Sequence, residues 1–411
     1  MSSDADLSGT EPVPHRGLGF LLLYALAWGG GVVAYVPLLT LILPVKVEAI
    51  APDDKVVLLS LITLVGAVVA SIVNIVVGMV SDLTVLRARG RRPWVAAGLI
   101  CTLVSYAVFH ACTSWMGLVL GVALFQSALN MMLAPLSAIA VDEIPDAQKG
   151  LVGGLMGAVF TFGALAGMVV TASPAFTEGV QLVMAAALLT AGVGPFLVIS
   201  RLRGPIVPPA IPMIEAGRRR AHNLFRVWIA RLLIQVSGCV LFAYLLFYFE
   251  SVDRAGLAVG PSGITGQVAW LSGGVTVFLV PLVIATGRWS DATRARKPFL
   301  VISTGMVAAG LTVMALLPQW IPAAAGYVLF ACGVGIFLAL QSAYAMQLLI
   351  APRHRGRDMG VLNLTNTLPA LIAPALAYLM AARGDFSVLL LVLAGLSAIA
   401  LVLMIQVRDE R

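Results

Sequence analysis

The chain has 411 residues, of which 60% are hydrophobic and 11% are charged, and its formal net charge is +7. Its mean hydropathy of +1.00 lies far from that of soluble domains, in which about a quarter of the residues are charged. Many apolar runs reach about 20 residues, the length that a helix needs to cross a bilayer. These properties exclude a soluble protein and predict an all-α protein that crosses the membrane several times.

The sequence contains no P-loop, no H-E-x-x-H and no G-x-S-x-G motif. Its four cysteines lie in or at the ends of apolar runs and form no C-x-x-C pair, which argues against a zinc site and a disulfide framework. The positive charge is more typical of membrane topology than of nucleic-acid binding. We therefore expect no enzyme activity, no cofactor, no metal and no nucleic-acid partner.

Twelve helices are predicted along the chain. A polar, acidic segment at residues 1–16 precedes them and is expected to be a disordered cytoplasmic tail. Charged residues, prolines and glycines mark the breaks between the apolar runs, as at "APDDK" and "DEIPDAQKG". The predicted helices are residues 17–45, 55–80, 94–111, 115–141, 151–173, 180–201, 222–250, 264–287, 298–317, 320–349, 358–381 and 385–407.

Lysines and arginines are distributed unevenly over the predicted loops. Twenty-one fall on one side of the membrane and four on the other, while Arg231 lies inside helix 7. By the positive-inside rule, both termini are predicted to be cytoplasmic, in the plasma membrane (the inner membrane) of a bacterial cell. The longest break, residues 202–221, contains several prolines and divides the chain into six-helix halves at residues 17–201 and 222–411.

The least typical stretch is "GMVSDLTVLRARGRRPW", which interrupts two apolar runs with four arginines and one aspartate. A shift of 209 residues places Gly78 on Gly287 and Asp82 on Asp291, and further matches follow in order through both halves. The chain therefore contains an internal repeat of two six-helix units in the same orientation. Such parallel repeats are typical of one large class of transporters.

The spacing G-x-x-x-D-x-x-x-x-R-x-G-R-R in this stretch resembles the motif of the major facilitator superfamily. The resemblance implies twelve transmembrane helices in two pseudo-symmetric halves and transport by alternating access. It also implies that the motif pairs across the cytoplasmic seam when the transporter opens outward and separates when it opens inward. A role of the arginines in topology alone is the alternative. The residues expected to form this conformational gate are Gly78, Asp82, Arg87, Arg91, Arg92, Gly287 and Asp291.

Two segments, "SDLTVLRARGRRPW" and "GVLNLTNTLPALIAPALA", are similar to the sucrose–proton symporters and their bacterial relatives, near the glycoside–cation symporters. Gln126 stands where the sucrose carriers have a protonatable aspartate, and Ser137 stands where they have a sugar-binding arginine. Leu83 replaces an arginine of the motif. Since glutamine does not titrate, the proton mechanism of that family does not transfer at this position.

Polar side chains recur at helical spacing inside several predicted spans. Gln126 and Asn130, for example, are four residues apart and share one face of helix 4. Because polar groups are unfavourable in hydrocarbon, such residues either line a cavity or join neighbouring helices. Amides suit substrates that carry hydroxyl or amide groups. The candidate substrate-binding residues are Gln126, Asn130, Arg231, Gln235, Gln341, Tyr344, Asn363 and Asn366.

Arg231 is the only basic residue well inside a predicted span, and an arginine keeps its charge there. It either extends to the lipid headgroups or faces a cavity and requires an anion. Candidates for that anion are Asp142, Glu250 and an acidic substrate. We therefore regard Arg231, Asp142 and Glu250 as candidate coupling residues. An acidic substrate would account for the loss of both charged residues from helix 4.

The favoured function is gradient-driven uptake of a sugar-like or glycoside solute, coupled to a proton or sodium ion, by a monomer in the lipid bilayer. Proton-driven export of a drug or natural product is one alternative. A transporter-like sensor that moves no solute is another. Because the sequence has no P-loop, we expect a gradient and not ATP to drive transport.

Overall fold

The computed structural model describes residues 15–86, 90–170, 176–200, 202, 213–252, 263–349, 354–381 and 386–407. The predicted tail up to residue 14, Arg87 and most of the proline-rich central segment lie outside these ranges. The described residues are helical apart from short connections. Ten of the helices in this part of the chain are long and apolar enough to cross a membrane.

The first half consists of six long helices. The first of them contains a π-helical segment, Leu38–Ile42, directly after Pro37, whose missing N–H interrupts the regular hydrogen bonding. The side chain of Ser114 caps the fourth helix and that of Thr177 caps the sixth. The helices are α1 (Leu18–Ile50), α2 (Lys55–Leu86), α3 (Arg92–Ala111), α4 (Trp115–Glu143), α5 (Lys149–Val170) and α6 (Glu178–Ile199).

The second half repeats this order. Its first helix begins at Met213, nine residues before the predicted start, so the predicted loop at 202–221 is helical from that residue onward. The sequence "MIEAGRRRA" contains several good helix formers, which explains the earlier start. The helices are α7 (Met213–Val252), α8 (Gly263–Thr293), α9 (Arg296–Leu316), α10 (Trp320–Leu348), α11 (Arg355–Ala381) and α12 (Phe386–Gln406).

The packing of the helices follows the internal repeat. In the first half α1 packs against α5 and α6, and in the second half α7 packs against the equivalent α11 and α12. Likewise α3 packs against α4, and α9 packs against α10. The prediction of twelve transmembrane helices in two pseudo-symmetric halves is confirmed. The two halves meet mainly where α2 packs on α11 and where α8 packs on α5.

The outer surface of the bundle is apolar. Val198 is 84% exposed, and Phe242 and Ile321 are each 79% exposed. Large apolar side chains at such exposures fit a surface in contact with lipid tails. In contrast, buried arginines and carboxylates cluster at the end of the bundle that carries Arg16, Arg91, Arg296 and Arg355, which we call the arginine-rich end.

Candidate functional site

Two seams join the halves at the arginine-rich end, and each is built in the same way. We call them the α2–α11 seam and the α8–α5 seam. In each seam, a glycine near the end of one helix lies against a glycine in the first turn of the other. A carboxylate one turn further along then accepts hydrogen bonds from the first free backbone amides of that partner helix. These amides have no partner within their own helix and carry the positive end of its dipole.

In the α2–α11 seam, Gly78 faces Gly356 so closely that a Cβ atom on Gly78 would overlap the Gly356 carbonyl group. The carboxylate of Asp82 accepts hydrogen bonds from the backbone N–H groups of Gly356 (2.8 Å) and Arg357 (3.1 Å). Asp82 is only 3% exposed. The first half therefore holds the N-terminus of α11 through one buried carboxylate.

The α8–α5 seam is the counterpart of this arrangement. Gly287 lies against Gly150, and a Cβ atom on Gly287 would overlap the Gly150 carbonyl group. Asp291 accepts hydrogen bonds from the backbone N–H groups of Gly150 (2.9 Å) and Leu151 (2.8 Å). Gly150 precedes Gly356 by 206 residues, close to the repeat interval, so both seams come from the same elements of the two repeats.

Arg91 connects two carboxylates behind the α2–α11 seam. Its guanidinium donates to Asp82 (2.8 Å), to Asp142 (2.7 Å) and to the Ser81 hydroxyl (2.7 Å). Asp142 in turn pairs with Arg355 of the other half at 3.0 Å. All five residues are at most 4% exposed. Removing Asp142, which pairs with both arginines, is therefore expected to be strongly destabilising, by about 3–5 kcal/mol.

The α8–α5 seam has fewer charges. Arg296 pairs with Asp291 and also donates to the Asp146 carbonyl oxygen across the seam. A second buried carboxylate comparable to Asp142 is missing here within the described residues. The two seams therefore share their backbone contacts and differ in their charge networks.

Arg92 is placed elsewhere, although it belongs to the same motif. Its guanidinium donates to the last carbonyl groups of α6, including that of Leu197 at 2.9 Å, within its own half. Favourable contact between a cation and a helix C-terminus is expected from the helix dipole. Arg87 lies outside the described residues. The structure therefore brings together Gly78, Asp82 and Arg91, and separately Gly287 and Asp291.

Polar contacts between the halves lie between the middle of the bundle and the arginine-rich end. The outermost that we describe is the hydrogen bond between Ser71 and Thr367, at 2.7 Å. At the opposite end, the polar contacts among the described residues stay within one half, as with Lys46 and Glu178 (2.6 Å) or Tyr248 and the Met314 carbonyl oxygen (2.6 Å). In this conformation the bundle is closed at its arginine-rich end.

A cavity of about 400 Å³ lies between the halves, on the inner side of the two seams. Its wall is mainly apolar and includes Trp28 and Met156 from the first half and Leu338 and Met359 from the second. Polar side chains occupy one part of the wall. They are Arg231, Gln235, Ser342, Asn363 and Asn366.

Arg231 is fixed inside the second half. Its guanidinium donates to the Gln341 side-chain oxygen, to the Ser342 hydroxyl (2.8 Å) and to the Asn366 side-chain oxygen (3.1 Å). Helices α10 and α11 therefore hold the head of a side chain that begins on α7. This geometry places the charge at the cavity and not at the lipid headgroups.

A chain of side-chain amides runs from Arg231 into the other half. Asn366 donates to Asn363 (3.4 Å), and Asn363 donates across the interface to Asn74 (3.2 Å). Asn74 then donates to Asn130 at 2.8 Å. Asn130 finally donates to the backbone and side-chain oxygens of Gln126, at 2.9 and 3.5 Å, and Gln235 joins the chain through Asn366 at 2.8 Å. Several predicted substrate-binding residues thus form one network that crosses between the halves.

Neither the remaining predicted residues nor Gln126, Asn130 and Gln341 of the network line the cavity. Tyr344 is 8% exposed and packs in the core. Glu250 is exposed near the end of α7, on the opposite end of the bundle from Asp142. Ser137, which was not a candidate site residue and stands where the sucrose carriers have a sugar-binding arginine, is buried and donates to the Ala134 carbonyl oxygen of its own helix.

Several residues of the site were not predicted from the sequence. Arg355 and Gly356 lie in "APRHRGRD", which was interpreted only as a loop whose arginines indicate the topology. Their spacing from Lys149 and Gly150 is close to the repeat interval and could have identified them. Trp28 and Ser342 carry no motif, and only their positions in the bundle bring them to the cavity.

The sequence and the structure were compared with known proteins. The family model of the Major Facilitator Superfamily matches residues 20–348 and 262–411. The comparison with curated proteins finds no match. The fold is similar to that of the transporter FucP in the outward conformation, with a TM-score of 0.71 at 12% identity over 95% of this chain and 99% of that one.

Two further solved structures share the fold. They are the human organic anion transporter MFSD10 (TM-score 0.69) and a bacterial homologue of the iron transporter ferroportin in an outward-facing state (TM-score 0.68). Each is 14% identical and covers 94% of this chain and 98% of its own. At sequence identities this low, the structural similarity shows a shared fold and nothing further. Together with the family model, which spans nearly the whole chain, it shows that the chain belongs to the Major Facilitator Superfamily.

Proposed function

We propose that this chain is a gradient-driven secondary transporter that works by alternating access and takes up a small glycoside-like or sugar-like solute. The observation that supports this proposal best is the position of the cavity, which lies between two pseudo-symmetric halves that are joined by separable seams at one end. Opening both seams and closing the opposite end would expose the same cavity to the other side. Asp82, Arg91 and Asp291 are then the gate residues.

The cavity suits a solute with a polar part and an apolar part. Amide and hydroxyl groups on α7, α10 and α11 can bind hydroxyl groups of a sugar, and the apolar wall can hold an aglycone. Among solved structures with this fold are a fucose:proton symporter and a proton:xylose symporter. The same apolar wall also favours, as a second candidate, export of an apolar natural product.

Uptake is tested by growth and flux. Cells that express the chain are expected to grow on a phenyl β-glucoside or a simple sugar as sole carbon source, and purified protein in liposomes should accumulate the labelled solute when a proton or sodium gradient is imposed. Accumulation should collapse when an ionophore removes the gradient. Resistance to apolar toxins without sugar-dependent growth would favour export instead. A complete lack of flux and of phenotype would contradict transport and favour a sensor.

Orientation is tested separately. We propose that the arginine-rich end faces the cytoplasm, because twenty-one of the basic residues fall on that side by the assigned helices. A green fluorescent protein fused to the C-terminus should therefore fluoresce, whereas alkaline phosphatase fused there should be inactive. As a matched control, phosphatase fused after Ser114, between α3 and α4, should be active. The reverse pattern would show that the seams face the outside.

A further inference from the structure

Arg231 is a partly buried cation that lines the cavity and has no acidic partner among the described residues. Its three hydrogen bonds go to neutral groups, the side chains of Gln341, Ser342 and Asn366. Its Nε–H group has no acceptor among the described residues. A guanidinium in such surroundings is stabilised much better by an anion than by neutral dipoles, because the surrounding dielectric is low.

Neither carboxylate that the sequence suggested can neutralise it. Asp142 is already paired with Arg91 and Arg355 at the seam. Glu250 is on the same helix as Arg231 but 19 residues further along, which is about 28 Å, and it is exposed. The counter-charge for Arg231 must therefore come from outside this part of the protein.

Two more side-chain donors lack an acceptor among the described residues, and one of them lines the cavity. One is the side-chain NH₂ of Gln341, which is fully buried and whose oxygen is bound to Arg231. The other is the indole N–H of Trp28, which lines the cavity from the first half. All three unpartnered groups are donors. A ligand in the cavity that binds Arg231 and Trp28 must therefore present acceptors, as a carboxylate does with its two oxygens.

We infer that the preferred solute is an organic anion, such as an acidic glycoside or a sugar acid, whose carboxylate binds at Arg231 and whose remaining part lies against the apolar wall. The inference rests on the proposed function and specifies the class of its substrate. The wall of methionine, leucine and valine side chains favours an organic acid over a bare inorganic anion. Binding of a monoanion would cancel the charge of Arg231 before the cavity closes around it.

Matched pairs of probes test this inference. Phenyl β-glucuronide differs from phenyl β-glucoside by a carboxylate in place of a hydroxymethyl group, and phenylacetate differs in the same sense from 2-phenylethanol. With purified protein, the acid of at least one pair should raise the melting temperature and its neutral partner should raise it much less. Because hydrogen bonds to charged groups are the strong ones, we expect roughly 10- to 100-fold tighter binding of the acid.

Two substitutions locate the effect. Arg231→Gln should abolish the preference for the acid, whereas Arg226→Gln should preserve it, because Arg226 lies on the same helix and donates to the Gln406 carbonyl oxygen away from the cavity. Gln341→Glu places a carboxylate beside Arg231. Without ligand, that variant should melt at a higher temperature, and the acid should no longer raise its melting temperature. It therefore tests the inference even if Arg231→Gln does not fold.

The outcomes separate this inference from the proposed function. If the neutral probes bind and are transported as readily as the acids, the inference of an anionic substrate is wrong. The proposed transport function is then still supported. If the acids bind at Arg231 but never cross liposome membranes, the anion site stands and transport is wrong. If neither acid raises the melting temperature above its neutral partner, the inference is overturned.

Discussion

Gly78→Val is expected to lower transport by roughly 5- to 150-fold while the protein still folds. A Cβ atom at this position would overlap the carbonyl group of Gly356 and lie 3.2 Å from the Arg357 nitrogen. Both are backbone atoms, so no side-chain rotation relieves the overlap, and α2 and α11 must separate. Overpacking of this kind typically disfavours a state by about 1–3 kcal/mol, which shifts a conformational equilibrium by a factor of about 5 to 150.

Gly287→Val should act in the same way at the other seam, since its added atoms would meet the Gly150 carbonyl group. The matched control is Gly274→Val, which lies on α8 with open space around its Cβ position. Uptake into liposomes and size-exclusion profiles of the three variants give the comparison. Normal uptake by Gly78→Val and Gly287→Val would show that these glycines are not needed for closure.

Asp291→Asn is expected to impair transport more than Asp82→Asn, although Asp82 belongs to the fuller form of the motif. Each change removes a carboxylate that holds two backbone amides of the other half. After Asp82→Asn, the pair between Asp142 and Arg355 still joins the halves. After Asp291→Asn, Arg296 keeps only neutral acceptors among the described residues and remains buried at 6% exposure.

The expected size follows from the bonds that are lost. Hydrogen bonds to a charged group contribute about 1.5–3 kcal/mol, so either change should shift the equilibrium away from the closed seam by roughly 10- to 100-fold. Asp358→Asn is the control, because Asp358 forms a partly exposed pair with Arg357, and such pairs contribute only about 0–1 kcal/mol. Uptake rates of the three variants test which change impairs transport most. Equal rates for Asp82→Asn and Asp291→Asn would contradict the expected difference between the two seams.

Much of the fold was predictable because its information is local. Apolar runs and charged breaks define the helices, and the repeat interval identifies Asp82 and Asp291 as equivalent residues. The start of α7 was predicted nine residues too late, because the prolines at 205–212 indicated a longer loop. The residues that follow these prolines favour a helix.

The contacts between the halves were not predictable from local patterns. Hydrophobic periodicity shows which face of a helix is apolar but not which helix of the other half it meets. Gly356 therefore had no recognised role until Gly78 was seen against it, and Arg355 had none until its pair with Asp142 was seen. The environment of Arg231 depends likewise on three helices that are far apart in sequence.

The central claim is that the halves must separate at the arginine-rich end during each transport cycle. Ala147 and Ala292 are exposed residues of opposite halves and line the same open surface pocket beside Asp291. Cysteines at both positions, in a variant that lacks the four native cysteines, can be joined by a short bifunctional methanethiosulfonate and released by a reductant. We expect that joining them stops uptake, that reduction restores it, and that either single cysteine has no effect. Undiminished uptake by fully cross-linked protein would contradict the claim.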